Sequence, residues 1–401
     1  MSSDLDHPAP STSTAPPPAK RQKQQQRRSS ASSSSNNKKI SSSTPPLGKF
    51  LASSDKSTRD KAVASLSRFL SAGRLNHLGP LAAGDEGDST EEGELPIGDL
   101  SWDEKYEVDA RLQPLEMAKL WKGVYYCFWM SDKPLVQQAL AQNLADLTLD
   151  VRPKSKTKNG RVERFRSAMT YLRGFWDAVV REWSTLDHHR LDKFLLLIRR
   201  FAHVGFRLLE REQFDERAIE EYNAMLTGPG GPLDVTNDKI PLSLAYHLFD
   251  IYLDEIDRLA SASSSSDSSP ALPLLALLSP MYTVASHAPS QIMFTRLVDN
   301  VFTPLLDAFL GPKPEPNPKR RRGNAAKRAK ERAYPALRAA ARRAAGLEVE
   351  EEAEETAADA KIGKRALRRL FEEGGKEETG EVQRRRIYNF VTAREVDFEE
   401  E

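Results

Sequence analysis

The fold this sequence predicts is all-α, an irregular HEAT- or armadillo-like helical array flanked by disordered N-terminal and C-terminal tails. Three observations predict it. Apolar residues recur at i, i+3, i+4 spacing from about Ser53 onward, the signature of helices that bury one face. Short breaks separate successive amphipathic segments, so neighbouring helices must run antiparallel as αα-hairpins. No segment shows a convincing run of the period-2 alternation that a half-buried strand requires. A strict repeat length is lacking, so the repeats are irregular and a compact helical bundle is the alternative.

The chain has 401 residues, 39% hydrophobic and 29% charged, an ordinary soluble composition. Residues 1–47 are rich in Ser, Pro, Gln and basic side chains and too poor in large apolar ones to offset the entropy of ordering. Residues 311–401 read as a basic and then acidic low-complexity tail. The helical domain therefore spans 48–310, with flexible insertions at about 79–100 and 260–270. The net charge of +1 hides strong segregation. Lys313 to Arg343 holds 12 Lys/Arg against 2 acids, and Glu348 to Asp359 holds 7 acids and no base. The basic block suits a polyanion or an import receptor, and the acidic block suits basic partners or shields its neighbour.

Element by element, Ser53-Ser54-Asp55 offers an N-cap for a first helix ending near Gly73. A second begins near Pro114 and carries Leu120, Trp121, Val124, Tyr125, Phe128 and Trp129 at helical intervals. Ser131-Asp132-Lys133-Pro134 reads as a tight break, with Ser or Asp capping and Pro tolerated in the first turn of the next helix. After a basic loop from Arg152 to Gly160, a helix from Val162 to Trp183 and another from His188 to about Glu212 follow, the latter capped at Asp187. Gly228-Pro229-Gly230-Gly231-Pro232 is a loop with neither the preceding strand nor the Gly-Lys-Ser/Thr of a phosphate cradle. Helices resume at Leu242–Leu259 and Ile292–Leu310.

The helix from His188 to Glu212 permits a geometric test. At about 100° per residue, Leu191, Phe194, Leu195, Ile198, Phe201, Ala202, Gly205, Leu208 and Leu209 fall on one side. His189, Lys193, Arg200, His203, Arg207 and Arg211 lie within about 40° of one line on the other. Such a ridge is either a solvated face paired with nearby acids or a surface for phosphate or an acidic protein. Lys193, Arg200, Arg207 and Arg211 are its candidate contacts to a partner or RNA. Lys20, Arg21 and Lys23, and Lys319, Arg320, Arg321, Arg322, Lys327 and Arg328, resemble nuclear-import signals and can also neutralise RNA phosphates.

No catalytic pattern emerges. The seven histidines show no metal-ligand spacing, and His188 and His189 point about 100° apart on a helix. Cys127, the single cysteine, excludes an internal disulfide and any multi-cysteine zinc site, and reads as a small buried hydrophobe. No nucleophile elbow, Walker or Rossmann pattern is present. Acid pairs such as Asp254-Glu255 are routine on helix surfaces. The aromatic helix reads as core in preference to a base-stacking platform. The sequence thus predicts a non-enzyme with no metal, cofactor or small-molecule substrate. It also predicts neither a membrane span nor a secretion signal, and the two import-like clusters favour the nucleus over the cytosol.

Four blocks of residues then resemble the ribosomal RNA-processing protein 1 family. They are Gly48 to Lys56 with Thr58-Arg59-Asp60-Lys61; Leu120-Trp121-Lys122-Gly123 through Cys127 to Pro134; Phe175-Trp176 to Trp183 leading into Leu191-Asp192-Lys193-Phe194 and Ile198-Arg199-Arg200; and His247 to Glu255. The resemblance implies a eukaryotic nucleolar assembly factor that joins precursors of the large ribosomal subunit. Its partners would be that pre-ribosome, other assembly factors and pre-rRNA, whose internal-spacer processing it would support without cleaving RNA. It also implies a helical-repeat domain followed by a basic tail, and it supplies no catalytic residues. A different reading of the same array is an import-receptor-like adaptor that carries cargo.

Overall fold

The computed structural model describes residues 47–71, 114–152, 160–263, 270–312, 334–347 and 352–394, all within one compact unit, Thr44–Glu401. The N-terminal basic clusters and the insertion at 79–100 lie outside the described residues. Every regular element among those described is helical. In order they are α1 (Leu47–Leu51), α2 (Lys56–Ser71), α3 (Pro114–Trp129), α4 (Pro134–Asp150), α5 (Gly160–Glu182), α6 (His188–Arg211), α7 (Glu216–Thr227) and α8 (Leu242–Ser263). Then come α9 (Leu274–Leu277), α10 (Ser279–His287), α11 (Gln291–Leu297), α12 (Thr303–Leu310), α13 (Pro335–Ala344), α14 (Glu352–Gly375) and α15 (Glu381–Thr392).

The predicted caps largely hold. Asp55 accepts from Thr58 N at 2.8 Å and Asp187 from Arg190 N at 3.0 Å, which satisfies orphan donors at two helix starts. The α3–α4 turn differs. Neither Ser131 nor Asp132 caps α4, which starts at Pro134 behind Lys133, while buried Ser131 donates back to Cys127 O at 3.2 Å. The predicted helix Ile292–Leu310 is α11 and α12 joined by a π turn, Val298–Phe302. Pro304 accounts for that turn, because its ring crowds the carbonyl four residues back and it has no N–H to donate.

Successive helices pack as the array requires, α3 against α1 and α5, α4 against α6, and α6 against α8. The core is dense in aromatics: Phe175 and Phe201 stack at 3.7 Å, and Trp121 meets Tyr171 at 4.7 Å. Trp121, Tyr125 and Phe128 of α3 are thus core, as their spacing predicts, with Trp129 packed half-buried against them. Buried tyrosines tie layers together through their hydroxyls, Tyr171 donating to Leu144 O at 3.3 Å and Tyr252 to Leu277 O at 2.8 Å. Buried phenols need such partners.

Several parts of the array escape the sequence reading, among them α1, α9 and α10. Helix α7, capped by Asp215, occupies a stretch without a predicted element, with Ala218, Ile219, Tyr222, Met225 and Leu226 buried. More substantially, the domain does not stop at Leu310. Part of the predicted low-complexity tail is α13, α14 and α15, which pack on α8, α10 and α12. Tyr282 donates to Ala366 O at 3.2 Å, and a Cβ on Gly363 would lie 2.7 Å from Leu310, so α14 seats closely against the array.

The charge blocks are in part each other's partners. Asp359, buried on α14, accepts from Arg338 Nε at 2.8 Å and from Arg342 at 3.0 Å, and Arg342 also reaches Glu355 at 3.1 Å. A linear charge count registers such segments as opposed blocks, whereas folding places them face to face. Asp359→Ala leaves two arginines facing a buried site without their carboxylate, a loss of the kind that costs about 3–5 kcal/mol. The expected outcome is release of α13, seen as faster tryptic cleavage after Arg338 and Arg342 while α3–α6 stay protected.

Candidate partner-binding surface

Helix α6 is the centre of the array, with α4 and α8 against it and α5 and α7 beside it. Its apolar side is buried as predicted. Its cationic ridge, expected from spacing as a contact surface, is in part engaged within the fold, where Lys193, Arg207 and Arg211 reach the α3–α4 turn and α4. Lys193 is 7% exposed and donates to Trp129 O at 2.6 Å and Ser131 O at 2.9 Å. Arg207 pairs with Asp146 of α4. Arg211 donates to Leu149 O at 3.1 Å and pairs with Glu212 at 2.9 Å. Arg200 is half-buried, and burial with Arg258 nearby pushes its pKa down. Helical spacing identifies the polar side correctly but cannot show that a neighbouring helix supplies acids and carbonyls to it.

Lys193 is half of a clamp. Arg59 of α2, also buried, donates to Ser53 O at 2.9 Å, Ser54 O at 2.8 Å and Met130 O at 3.4 Å. The carbonyls at the end of α3 thus meet cations from two sequence-distant helices, a favourable placement at a helix C-terminus. Arg190 adds its guanidinium 4.6 Å from the Trp129 ring, within cation–π range. Three of the blocks quoted for the family resemblance therefore converge on one turn.

The third and fourth blocks meet elsewhere on α6. Fully buried Glu255 of α8 contacts Arg199, His203 Nδ1 at 3.0 Å and Arg258 at 3.6 Å. Burial pushes the Glu255 carboxyl up, but His203 and Arg199 outweigh it and hold the group below its usual value. Close by, His247 Nε2 sits 3.0 Å from Leu195 O, and burial lowers the imidazole pKa. These groups have partners within the fold and point to structure in place of chemistry.

Other candidates resolve in the same way. Burial raises the Cys127 thiol to about 11, so it is protonated and inert at neutral pH. The His188 and His189 rings lie 3.7 Å apart, closer than their helical directions imply, yet no cluster of three or more potential metal ligands is found among the described residues. No described helix is long and apolar enough to cross a membrane. Lys20, Arg21, Lys23, Lys319, Arg320, Arg321, Arg322, Lys327 and Arg328 lie outside the described residues.

What α3 leaves outside is a stripe the sequence reading did not single out. Lys119, Lys122, Tyr126 and Met130 follow one another at i+3 and i+4 steps and are all exposed, Tyr126 by 37% and Met130 by 41%. Two large apolar side chains in line with two lysines make a surface suited to another protein. The signal was present as the gap between the buried positions of α3.

Comparison with known proteins decides the family. The sequence matches the family described as nucleolar protein, Nop52, over residues 42–390, a span that takes in α13, α14 and nearly all of α15. The chain belongs to the Nop52 family. Among its relatives, ribosomal RNA processing protein 1 homolog A of Mus musculus is 24% identical over 65% of this chain and 43% of its own length. Homolog B of Homo sapiens is 29% identical over 52% of this chain and 22% of its own length. The homolog of Drosophila melanogaster is 29% identical over 36% of this chain and 19% of its own length. The chain therefore spans less than half the length of these Nop52-family relatives.

Two measurements follow from this geometry. Lys193→Met should lower stability by about 1–3 kcal/mol in urea unfolding, because Trp129 O and Ser131 O lose a charged donor, whereas Lys122→Met should change it little. Stability should also decline in two steps as pH falls. Both His247 and Glu255 have folded pKa values below their usual 6.5 and 4.5, so the unfolded chain binds protons more readily. Their contribution is present at neutral pH and declines as pH falls, first below 6.5 for His247 and then below 4.5 for Glu255. His247→Gln should flatten the first decline in urea midpoint and Glu255→Gln the second.

Proposed function

We propose that this chain is a non-catalytic nucleolar assembly factor of the large ribosomal subunit precursor, required for internal-spacer processing of pre-rRNA because it scaffolds proteins and rRNA. The observation that carries the reading is the family match over residues 42–390, together with relatives named as ribosomal RNA processing proteins. The architecture supports it. The titratable clusters of α6 and α8 are engaged in holding helices together, which leaves the outer surface as the working part. In this reading Lys119, Lys122, Tyr126 and Met130 receive a neighbouring assembly factor, and the clusters at Lys20–Lys23 and Lys319–Arg328 serve nuclear import and RNA contact.

Tagged full-length chain should co-sediment with large-subunit precursors on a sucrose gradient, and its depletion should cause spacer-containing pre-rRNA to accumulate. Sedimentation as free protein, with pre-rRNA unchanged on depletion, would refute the assignment. Tyr126→Glu combined with Met130→Glu should shift the chain several-fold toward the free fractions without lowering its melting temperature. If it remains in the particles, the α3 stripe is not the docking surface.

A further inference from the structure

We infer that the outer face of the α14–α15 hairpin is a binding site for single-stranded RNA, distinct from the basic clusters at either end of the sequence. It deepens the proposed function and rests on it only for which RNA is met in the cell.

The face is built by a division of labour among cations. Arg338 and Arg342 are held by Asp359, Arg394 by Asp307 at 2.8 Å, and Arg386 by Ala288 O at 3.0 Å. Arg384 closes the end of α14 by donating to Gly374 O at 2.9 Å and Thr379 O at 3.3 Å. Lys376 pairs with Glu373 at 2.7 Å. Lys361, Lys364 and Arg369 of α14 and Arg385 of α15 form no ion pair among the described residues, and all but half-buried Lys364 are exposed. Arg365 and Arg368 share the stripe and have contacts of their own.

From the helical period, Lys361, Lys364, Arg365, Arg368 and Arg369 fall within about 140° of arc and extend about 12 Å along the axis. Opposite them Ile362, Ala366, Leu367 and Leu370 are buried. Between Lys361 and Phe371 the sequence has no acid, and Glu372 is the first to follow. Lys361, Lys364 and Arg369 thus give the stripe a local positive charge with no ion pair among the described residues.

Aromatic surface lies beside it. Phe371 of α14 is 45% exposed and stacks on Tyr388 of α15, ring centroids 4.7 Å apart and planes 26° from parallel. One turn before each ring along its own helix stand Arg368 and Arg385. Cations beside a partly exposed ring stack are what a single strand requires, since its phosphates need positive charge and its unstacked bases need a π surface. An acidic protein surface would use the cations, whereas a ring pair already stacked offers an unstacked base a π surface to extend, which favours RNA.

The test uses the full chain and a fluorescein-labelled single-stranded RNA of mixed sequence, followed by anisotropy across a salt series. The triple variant Lys361→Gln, Arg369→Gln, Arg385→Gln should bind at least about tenfold more weakly. Its log–log salt slope should fall by about 2, the change expected when three phosphates are no longer neutralised. Phe371→Ala should weaken binding about tenfold, and Phe371→Tyr should restore it. Circular dichroism melts establish that each variant is folded. A second protein with Lys319–Arg322, Lys327 and Arg328 neutralised separates the two regions. If it loses all RNA affinity while the triple variant loses none, the inference is overturned. It is equally overturned if the triple variant loses binding to poly-glutamate but keeps its RNA affinity and slope, which would mark an acidic-protein surface. Entry into large-subunit precursors is a separate measurement, so either result can fail without the other.

Discussion

The rest of the array depends on α6 having almost no free side. Helices α4, α5, α7 and α8 surround it, yet its sequence interleaves cations and a histidine with Phe and Leu. Each polar group along it must then find a partner inside the protein or bear the cost of desolvation. Lys193 takes carbonyls at the α3–α4 turn, Arg199 and His203 take Glu255, Arg207 takes Asp146, and Arg211 takes Leu149 O and Glu212. Buried pairs of this kind contribute modestly to net stability compared with apolar substitutes, but breaking one partner is costly. Their effect here is to fix register, because a shift of α6 by one residue would turn each cation away from its acceptor.

That constraint gives the most recognisable blocks of the sequence a structural role. Arg59, the Trp129–Pro134 turn and Lys193 are separated by scores of residues and meet at one helix end. Arg199 and Glu255 meet at another. A sequence pattern set by such meetings marks how helices assemble, so it identifies a family without pointing to a reaction. Nor do the described residues assemble a metal cluster, and the lone thiol is buried with a raised pKa.

How much was legible follows from the same physics. Helices α3 to α6 and α8 were readable because each carries a long apolar period, reinforced at α3 and α4 by a proline in the first turn and at α6 by the Asp187 cap. The C-terminal helices were not, because their buried faces are small. Ala340, Ala341, Ala358 and Ala366 do much of the packing, with Leu337, Ile362, Leu367 and Leu370 between them. Alanine at a close helix contact carries little weight in a hydrophobic count, while the surrounding Arg and Glu dominate composition. The internal partners of the α6 ridge were not legible for a related reason. Angular position separates polar from apolar sides, but whether a polar side faces water depends on Asp146 and Leu149, residues of a different helix.

Once the ridge and the Arg338–Asp359 contacts are assigned to the fold, charge that remains outside becomes more informative than total charge. In the N-terminal half it accompanies Tyr126 and Met130 on α3, and in the C-terminal half it accompanies Phe371 and Tyr388. The two sites differ in kind. On α3 an aliphatic and an aromatic side chain lie along one helix with two lysines, a pattern that buries well against a protein. On α14 and α15 two rings are already stacked and most of the nearby cations are arginines, whose planar groups suit both phosphate and base. An array whose interior fixes its helices so tightly can hold the two proposed faces at a constant separation, and the proposed scaffold would draw on that rigidity.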